Sequence, residues 1–215
     1  SNSDDECHQW VNYFTHTGHL HIEGLKMSKS LKNFITIREA LGENSPRLLR
    51  LLFLMQGWDQ PMNYSQQTIH DARSKETTFK AFFREVEALS RVDYLADKVG
   101  YRMGEKDHVL SNSLLEAKQK VHESLLDNFN TKEAMAALLK VINEANSYMR
   151  TPDAKPAILS LKAIAVYVTQ ILKVFGVVTG SDDFGFEGRG RAGDSGSAGE
   201  TVEPFIETLV SFREK

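Results

Sequence analysis

The sequence predicts a mainly α-helical chain, a helical bundle preceded by a short segment of β-strand and loop. Three observations predict it. After Ser45, apolar residues recur at helical spacing in five successive runs. Start and stop signals bracket the first of these runs, and a stop signal ends the last. Before Ser45, β-branched and aromatic residues are mixed with Gly, His and a lysine-rich stretch, a composition of short extended pieces.

Taken in order, Trp10-Val-Asn-Tyr-Phe, Leu20-His-Ile and Phe34-Ile-Thr-Ile read as short strands or extended segments around a polar loop from Glu23 to Asn33. The first of them fits a helix end equally well. About 35 residues of this kind cannot enclose a core, so the segment packs on the helical runs after it or on chain from elsewhere. Ser45-Pro46 is a helix start, with a hydroxyl to accept from a free N–H and proline at the first helical position. Leu48, Leu51, Leu52 and Met55 follow at i, i+3, i+4 and i+7 before Gly57 stops the run. Trp58 to Tyr64 reads as a loop. A helix from Ser65 to Ser90 carries Phe79, Phe82, Phe83, Val86 and Leu89 on one face. Three more runs follow: Leu110, Leu114, Ala117, Val121 and Leu125; Met135, Leu138, Leu139 and Ile142; then Ile158, Leu161, Ala165, Val168, Leu172 and Phe175, ended by Gly176.

Beyond Val178, seven of the 14 glycines fall between Gly180 and Gly199, mixed with Asp, Ser and Arg. That composition is a flexible linker; no strand precedes it and its spacing matches no phosphate-cradling fingerprint. Val202, Phe205, Leu209 and Phe212 restore an amphipathic pattern that reads as a last helix. The expected divisions are residues 1–44, 45–64, 65–178, 179–200 and 201–215.

Composition narrows the function classes. With 215 residues, 26 basic against 29 acidic groups and 41% hydrophobic residues, the chain reads as soluble and globular. No apolar run approaches the roughly 18 residues of a spanning helix, and the polar, acidic first ten residues are no signal peptide. The net charge of −3 argues against a chain that coats nucleic acid wholesale, so any basic surface is local. The stretch His21 to Arg50 holds six basic and three acidic residues, whereas Ser181 to Lys215 holds eight acidic and four basic. Anion binding is therefore expected near the amino end. One cysteine, Cys7, forbids a disulfide framework and reads as a reducing, cytosolic setting.

The strongest local signal is Lys26-Met27-Ser28-Lys29-Ser30, continued by Leu31, Lys32, Asn33 and Phe34. Three lysines in seven residues with two interleaved hydroxyls form a cationic loop suited to phosphate oxygens. Lysine acts there as a flexible point charge that can reach a leaving group as charge develops on it. An arbitrary K-x-x-K is most simply a solvated loop. This one spells KMSKS and so resembles the signature of class I aminoacyl-tRNA synthetases.

Further residues resemble the cysteinyl-tRNA synthetases within that class, in their eukaryotic cytosolic form: Trp10-Val-Asn-Tyr-Phe before the loop, Lys29-Ser-Leu-Lys-Asn-Phe-Ile-Thr-Ile leaving it, Met62-Asn-Tyr-Ser-Gln, and Asp127-Asn-Phe-Asn-Thr between two runs. The likeness spans Gln9 to Phe175. Asn63, Ser65 and Asp127 to Thr131 are also ordinary turn and cap residues, and serve as family markers. The resemblance implies that residues 1–44 end a Rossmann-type catalytic domain, that 45–64 connect it to the tRNA stem, and that 65–178 form a tRNA-binding bundle. It implies that Lys26, Met27, Ser28, Lys29 and Ser30 bind ATP, with Lys26 and Lys29 catalytic. These two stabilise the α-phosphate and departing pyrophosphate as cysteine becomes its adenylate, at about 10²–10³-fold in rate per donor. ATP with Mg²⁺, cysteine and cysteine tRNA are the implied substrates.

Two tempting sites are set aside. His16-Thr-Gly-His19 resembles the class I H-x-G-H element, but that element belongs at a strand-to-helix turn facing phosphates, and here it runs straight on towards Lys26. His16 and His19 are read as strand or loop residues. Cys7, His8, His19, His21 and Glu23 hold a single thiolate, so no metal site is assigned; the zinc of the family is implied to use ligands absent from this chain. His70, His108 and His122 read as surface or boundary histidines. For tRNA phosphates the candidates are Arg47, Arg50, Arg73, Lys75, Lys98 and Arg102, none of them distinguishable from a solvated helix face by sequence.

The expected protein is thus the carboxy-terminal part of a cytoplasmic synthetase, inactive until joined by a missing amino-terminal catalytic half. The rivals are a non-catalytic helical RNA-binding or scaffolding module, and a related ligase that passes activated cysteine to a small amine.

Overall fold

The computed structural model describes residues 10–95, 104–151, 157–179 and 185–186, apart from the side chains of 92–95. The expectations for Cys7, His8, Lys98, Arg102, most of the Gly-rich stretch and the tail 201–215 lie outside the described residues. Among the described residues, three short strands come from the amino-terminal part: β1 (Leu20–Ile22), β2 (Leu25–Lys26) and β3 (Met62–Tyr64). The helices among these residues are α1 (Ile37–Glu43), α2 (Pro46–Leu54), α3 (Gln66–Leu95), α4 (Glu105–Leu126), α5 (Thr131–Met149) and α6 (Ile158–Val174).

The helices are bounded by local chemistry. At α2, Ser45 Oγ accepts from the Leu48 N–H at 3.2 Å and Pro46 takes the first helical position, as expected. At α5, Asn130 Oδ1 accepts from the Glu133 N–H at 3.1 Å. Helix α6 ends at Gly176, whose φ of 68° lets its N–H reach the Lys173 carbonyl while Val177 N–H reaches Leu172. This paired closure satisfies carbonyls that the helix leaves open. Helix α3 runs 30 residues, roughly 45 Å, and passes the expected stop at Ser90.

The expected apolar faces meet in one core. Phe79, Phe82 and Val86 of α3, Leu110 and Val121 of α4, Met135, Leu138 and Ile142 of α5, and Leu161, Ile164 and Leu172 of α6 are all buried. A second, smaller cluster joins Leu48 and Leu52 of α2, Met62 of β3, and Ile69 and Ala72 of α3, with Leu20 and Tyr64 packed against it. It mounts the strands on the start of the bundle.

Several expectations are corrected here. Helix α1 is not among the expected elements and takes in only Ile37 of the extended segment Phe34 to Ile37; it is started by a reciprocal cap in which Glu39 N–H donates to Thr36 Oγ1 at 3.2 Å and Thr36 N–H to Glu39 Oε2 at 2.7 Å. The reading of Trp58 to Tyr64 as loop misses β3, which pairs in parallel with β1, Leu20 opposite Met62. The polar loop expected from Glu23 to Asn33 contains β2. Trp10 to Phe14 form no strand, and the rings of Trp10, Tyr13 and Phe14 stand exposed. Within the Gly-rich stretch, Phe186 is buried, edge-on to Phe79 at 6.3 Å and to Phe83 at 5.5 Å between ring centres. Gly185 N–H donates to Thr169 Oγ1 at 2.9 Å, so the stretch is pinned to the bundle at this point.

Candidate functional site

The site begins with a hairpin. His21 pairs with Lys26 and Ile22 with Leu25, so β1 and β2 are joined by the two residues Glu23 and Gly24, at φ 46° and 82°. Two positive φ values suit the right-handed twist of such a hairpin. The turn is tied to the third strand: Gly24 N–H donates to Asn63 Oδ1 at 2.8 Å, Glu23 N–H to the Tyr64 carbonyl at 3.2 Å, and Gln66 N–H to Glu23 Oε1 at 3.3 Å. Lys26 thus stands on an anchored strand end.

Beyond Lys26 the chain turns back on itself around Asn33. Asn33 Oδ1 accepts from the Ser28 N–H at 2.9 Å, and its Nδ2 donates to the carbonyls of Lys26 at 3.2 Å and Leu25 at 3.5 Å. Inside the loop, Leu31 N–H donates to Ser28 Oγ at 3.2 Å, and the hydroxyls of Ser28 and Ser30 lie 3.1 Å apart. Lys32 N–H reaches the Lys29 carbonyl at 3.2 Å with Lys32 at φ 52°. Lys26, Lys29, Lys32 and Ser30 are exposed, Met27 and Ser28 half-buried. The loop is therefore a shaped backbone presenting cations to solvent. Asn33 belongs to the extended motif, yet its clamping role cannot be read from the motif's letters; an Asn seven residues after a strand's last lysine is the only signal.

The histidine element takes another role. Gly18 donates its N–H to the Trp58 carbonyl at 3.0 Å, and a Cβ there would sit 1.9 Å from the Gln60 carbonyl oxygen. Only glycine allows that approach. The His19 carbonyl accepts from Met62 N–H at 2.9 Å while His16 and His19 side chains are exposed. His70, His108 and His122 are exposed helix residues. Among the described residues no three His, Cys, Asp or Glu side chains gather as a metal ion requires.

The basic candidates divide. Arg47 is half-buried, 3.7 Å from Glu76 Oε1 and stacked 4.7 Å above the Phe186 ring centre, with a buried Nε that finds no hydrogen-bond acceptor. The same Glu76 oxygen holds Lys80 at 2.9 Å. Arg50 Nη1 donates to the Phe175 carbonyl at 3.2 Å, 125 residues away. Arg73 Nη2 reaches Asn44 Oδ1 at 3.5 Å. Lys75, by contrast, is exposed and lines a groove of about 960 Å³ with Lys106, Lys132, Lys140, Val109, Met135 and Leu139. The groove runs between α4 and α5 and reaches Met55 beyond α2. Trp58, three residues further, donates its indole N–H to the Asn128 carbonyl at 2.8 Å. That bond fastens the strand-bearing part to the connection between α4 and α5.

Hydrogen bonds from the Thr36 backbone, then from its side chain, hold the Glu39 carboxyl below its ordinary range. Burial pushes the Tyr64 phenol up, with the negative charge of Glu43 adding to it and a hydrogen bond from Asn44 opposing. Burial also raises Tyr167. Among the described residues no helix is long and apolar enough to cross a membrane.

Comparison with known proteins bears on this site. Residues 2–74 match the family model of the tRNA synthetases class I (C) catalytic domain, and residues 120–179 match the DALR domain. The chain is 40% identical over 208 residues to the cytoplasmic cysteine–tRNA ligase of Dictyostelium discoideum, covering 95% of this chain and 31% of that protein. It is 38% identical over 214 residues to the cytoplasmic enzyme of that name from Homo sapiens, covering 98% of this chain and 28% of the relative. The chain thus spans about three tenths of the length of these relatives. In fold it resembles Mycobacterium tuberculosis methionyl-tRNA synthetase, solved with methionyl-adenylate, at a TM-score of 0.60 and 16% identity over 73% of this chain and 34% of that one. It also resembles Agrobacterium radiobacter K84 LeuRS, solved in a ternary complex with tRNA and LeuAMS, at a TM-score of 0.56 and 21% identity over 74% and 22%.

Proposed function

We propose that this chain, which matches the class I (C) catalytic and DALR family models and is similar to cytoplasmic cysteine–tRNA ligases, is itself part of a cysteine–tRNA ligase of the class I tRNA synthetases, and supplies the KMSKS loop and the tRNA-binding bundle of a cytoplasmic, ATP-dependent enzyme. The observation that carries the reading is the build of residues 26–33: a loop whose backbone is folded around Asn33 and whose lysines are left free in solvent at the end of an anchored strand.

In this reading a cysteine carboxylate oxygen forms a bond to the α-phosphorus of ATP while the bond from that phosphorus to the bridging oxygen breaks and pyrophosphate leaves. Lys29, with Lys26 beside it, offsets the negative charge that gathers on the departing phosphates. Lysine suits the task because its flexible stem lets the ammonium follow that charge. Asn33 holds the loop's shape, so that less of the loop must be ordered when substrate arrives. Mg²⁺ enters with ATP, the zinc of the resemblance takes its ligands from chain other than this, and the acceptor is cysteine tRNA.

The test supplies the remaining amino-terminal part of the Dictyostelium relative as a separate polypeptide and measures cysteinylation of cysteine tRNA. Alone, the 215-residue chain is expected to exchange no pyrophosphate into ATP. Together the two pieces are expected to aminoacylate, and Lys29→Ala to reduce the rate about 10²–10³-fold. Complementation that ignores Lys29→Ala would remove the loop from the mechanism, and a total lack of complementation would favour a non-catalytic RNA-binding module.

A further inference from the structure

The strand that carries Lys26 has little of its own to hold it. Strand β2 is two residues long, neither of them buried, and Leu25 is 60% exposed. A short two-stranded ribbon is marginal in water unless it is braced from outside. Its turn is made by Glu23 and Gly24 at φ 46° and 82°. Such a two-residue turn strongly favours asparagine, aspartate or glycine at its first position, because these adopt the left-handed region most readily. Glutamate there is held against a local cost, and an outlier of that kind points to a use for its side chain.

The use lies at the start of α3. Ser65 and Thr68 cap one another, Thr68 N–H donating to Ser65 Oγ at 3.3 Å and Ser65 N–H to Thr68 Oγ1 at 3.0 Å. That leaves the Gln66 N–H, one of the donors a helix start cannot satisfy from within. Glu23 Oε1 accepts it at 3.3 Å from 43 residues away, and brings negative charge to the helix end that favours it. The bonds from Glu23 N–H to the Tyr64 carbonyl and from Gly24 N–H to Asn63 Oδ1 engage only the backbone of the turn, so any residue at position 23 could keep them. The bond to Gln66 alone depends on glutamate. Helix α3 is in turn rooted in both cores, by Ile69 and Ala72 in the smaller cluster and by Phe79 in the larger. Through Glu23 the hairpin is therefore set against the body of the bundle.

We propose that Glu23 is a positioning residue for the lysine loop: by capping α3 across the hairpin turn it fixes where Lys26 leaves the sheet, and so where Lys29 meets the phosphates of the nucleotide. The inference rests on the reading of residues 26–33 as an ATP-binding loop, and adds a residue outside the loop on which its aim depends.

The experiment compares two variants that separate the turn from the cap. Glu23→Asn supplies a better turn residue but is one methylene too short for Gln66; Glu23→Gln keeps an acceptor oxygen at the same reach. In the full chain, amide exchange followed by NMR is expected to quicken about tenfold at Gln66, Ser28 and Leu31 in Glu23→Asn, the size of one lost hydrogen bond to a charged group, while thermal unfolding stays at or above the parent's temperature. Glu23→Gln is expected to remain within about threefold of the parent at all three amides. In the two-piece mixture, Glu23→Asn is expected to raise the KM for ATP about tenfold and to leave the KM for cysteine tRNA within about twofold, a split that a general loss of structure would not produce. Parental exchange at Ser28 and Leu31 in Glu23→Asn would overturn the proposal whether or not the mixture is active, and so would a Glu23→Gln variant as impaired as Glu23→Asn. If exchange quickens as expected but the parent mixture attaches no cysteine to tRNA, the brace on the loop is upheld and the synthetase reading is what falls.

Discussion

In the bundle, Phe79, Phe82, Leu138 and Ile164 have no accessible surface, whereas α1 at the other end buries no residue at all. The two regions are held by different means. The bundle rests on interlocking apolar faces from five helices, Leu51 of α2 joining those of α3 to α6. The strand-bearing part has only the small cluster around Leu52 and Met62, and beyond it rests on single polar stitches: Asn33 across the lysine loop, Glu39 on Thr36, Asn63 under the hairpin turn and Trp58 on Asn128. Meanwhile Ile37 and Phe53 remain 79% and 54% exposed, bordering an apolar hollow of about 520 Å³ lined by Ile22, Ala40, Leu41 and Leu49. Close packing and the exposed lysine loop are thereby separated in space. The well-packed region positions, and the stitched region carries the lysines.

The largest effect should come from breaking the first mode. Phe82→Ala is expected to cost about 3–5 kcal/mol, read from the urea midpoint at unchanged m, while Ile37→Ser in the same assay should change stability by less than about 0.5 kcal/mol. A small loss for Phe82→Ala would mean that the bundle is not the stabilising body. Next in size, Asn33→Ala removes three hydrogen bonds at exposed or half-buried positions and should cost about 0.5–1.5 kcal/mol locally. Amide exchange at Ser28 should quicken while the amides of α5 keep the parent's protection; equal quickening in both would join the regions into one cooperative unit. The smallest effect concerns Glu39. Its folded-state pKa lies below the unfolded one, so its contribution is complete above the unfolded carboxyl range and disappears as pH falls through the lowered folded value. In a pH titration followed by NMR, α1 should fray in that acid window before the bundle does, and Glu39→Gln should abolish the pH dependence of the fraying.

The same contrast decides how much could be read in the residues. Helices α2, α3, α4, α5 and α6 are legible because each presents an apolar stripe to a common core, and periodicity records burial. Helix α1 buries nothing, so it has no stripe to find, and only the Thr36–Glu39 pair betrays it. Strand β3 is three residues paired in parallel with a strand some forty residues earlier, a relation with no local signature. The lysine loop is visible as a motif. Its clamp, the engagement of Arg47 with Glu76 and Phe186, and the cap of Glu23 on Gln66 depend on distant or backbone geometry that residue type does not encode. The Gly-rich stretch shows the opposite limit, since its composition describes a linker while one phenylalanine in it docks into the core.

The bond from Arg50 to the Phe175 carbonyl sets a clock on biosynthesis. The two residues are separated by 125 positions, which a ribosome adding 5–20 residues per second takes roughly 6–25 s to cover. During that interval the lysine loop and then its strands emerge, β3 among them, but the end of α6 that secures α2 does not yet exist. Phe53 and Ile37 then border a hollow that still lacks the Phe175 ring, and a chaperone that recognises short apolar segments would meet this region first. A pause or truncation between these positions should therefore leave α2 without its tie to the end of α6.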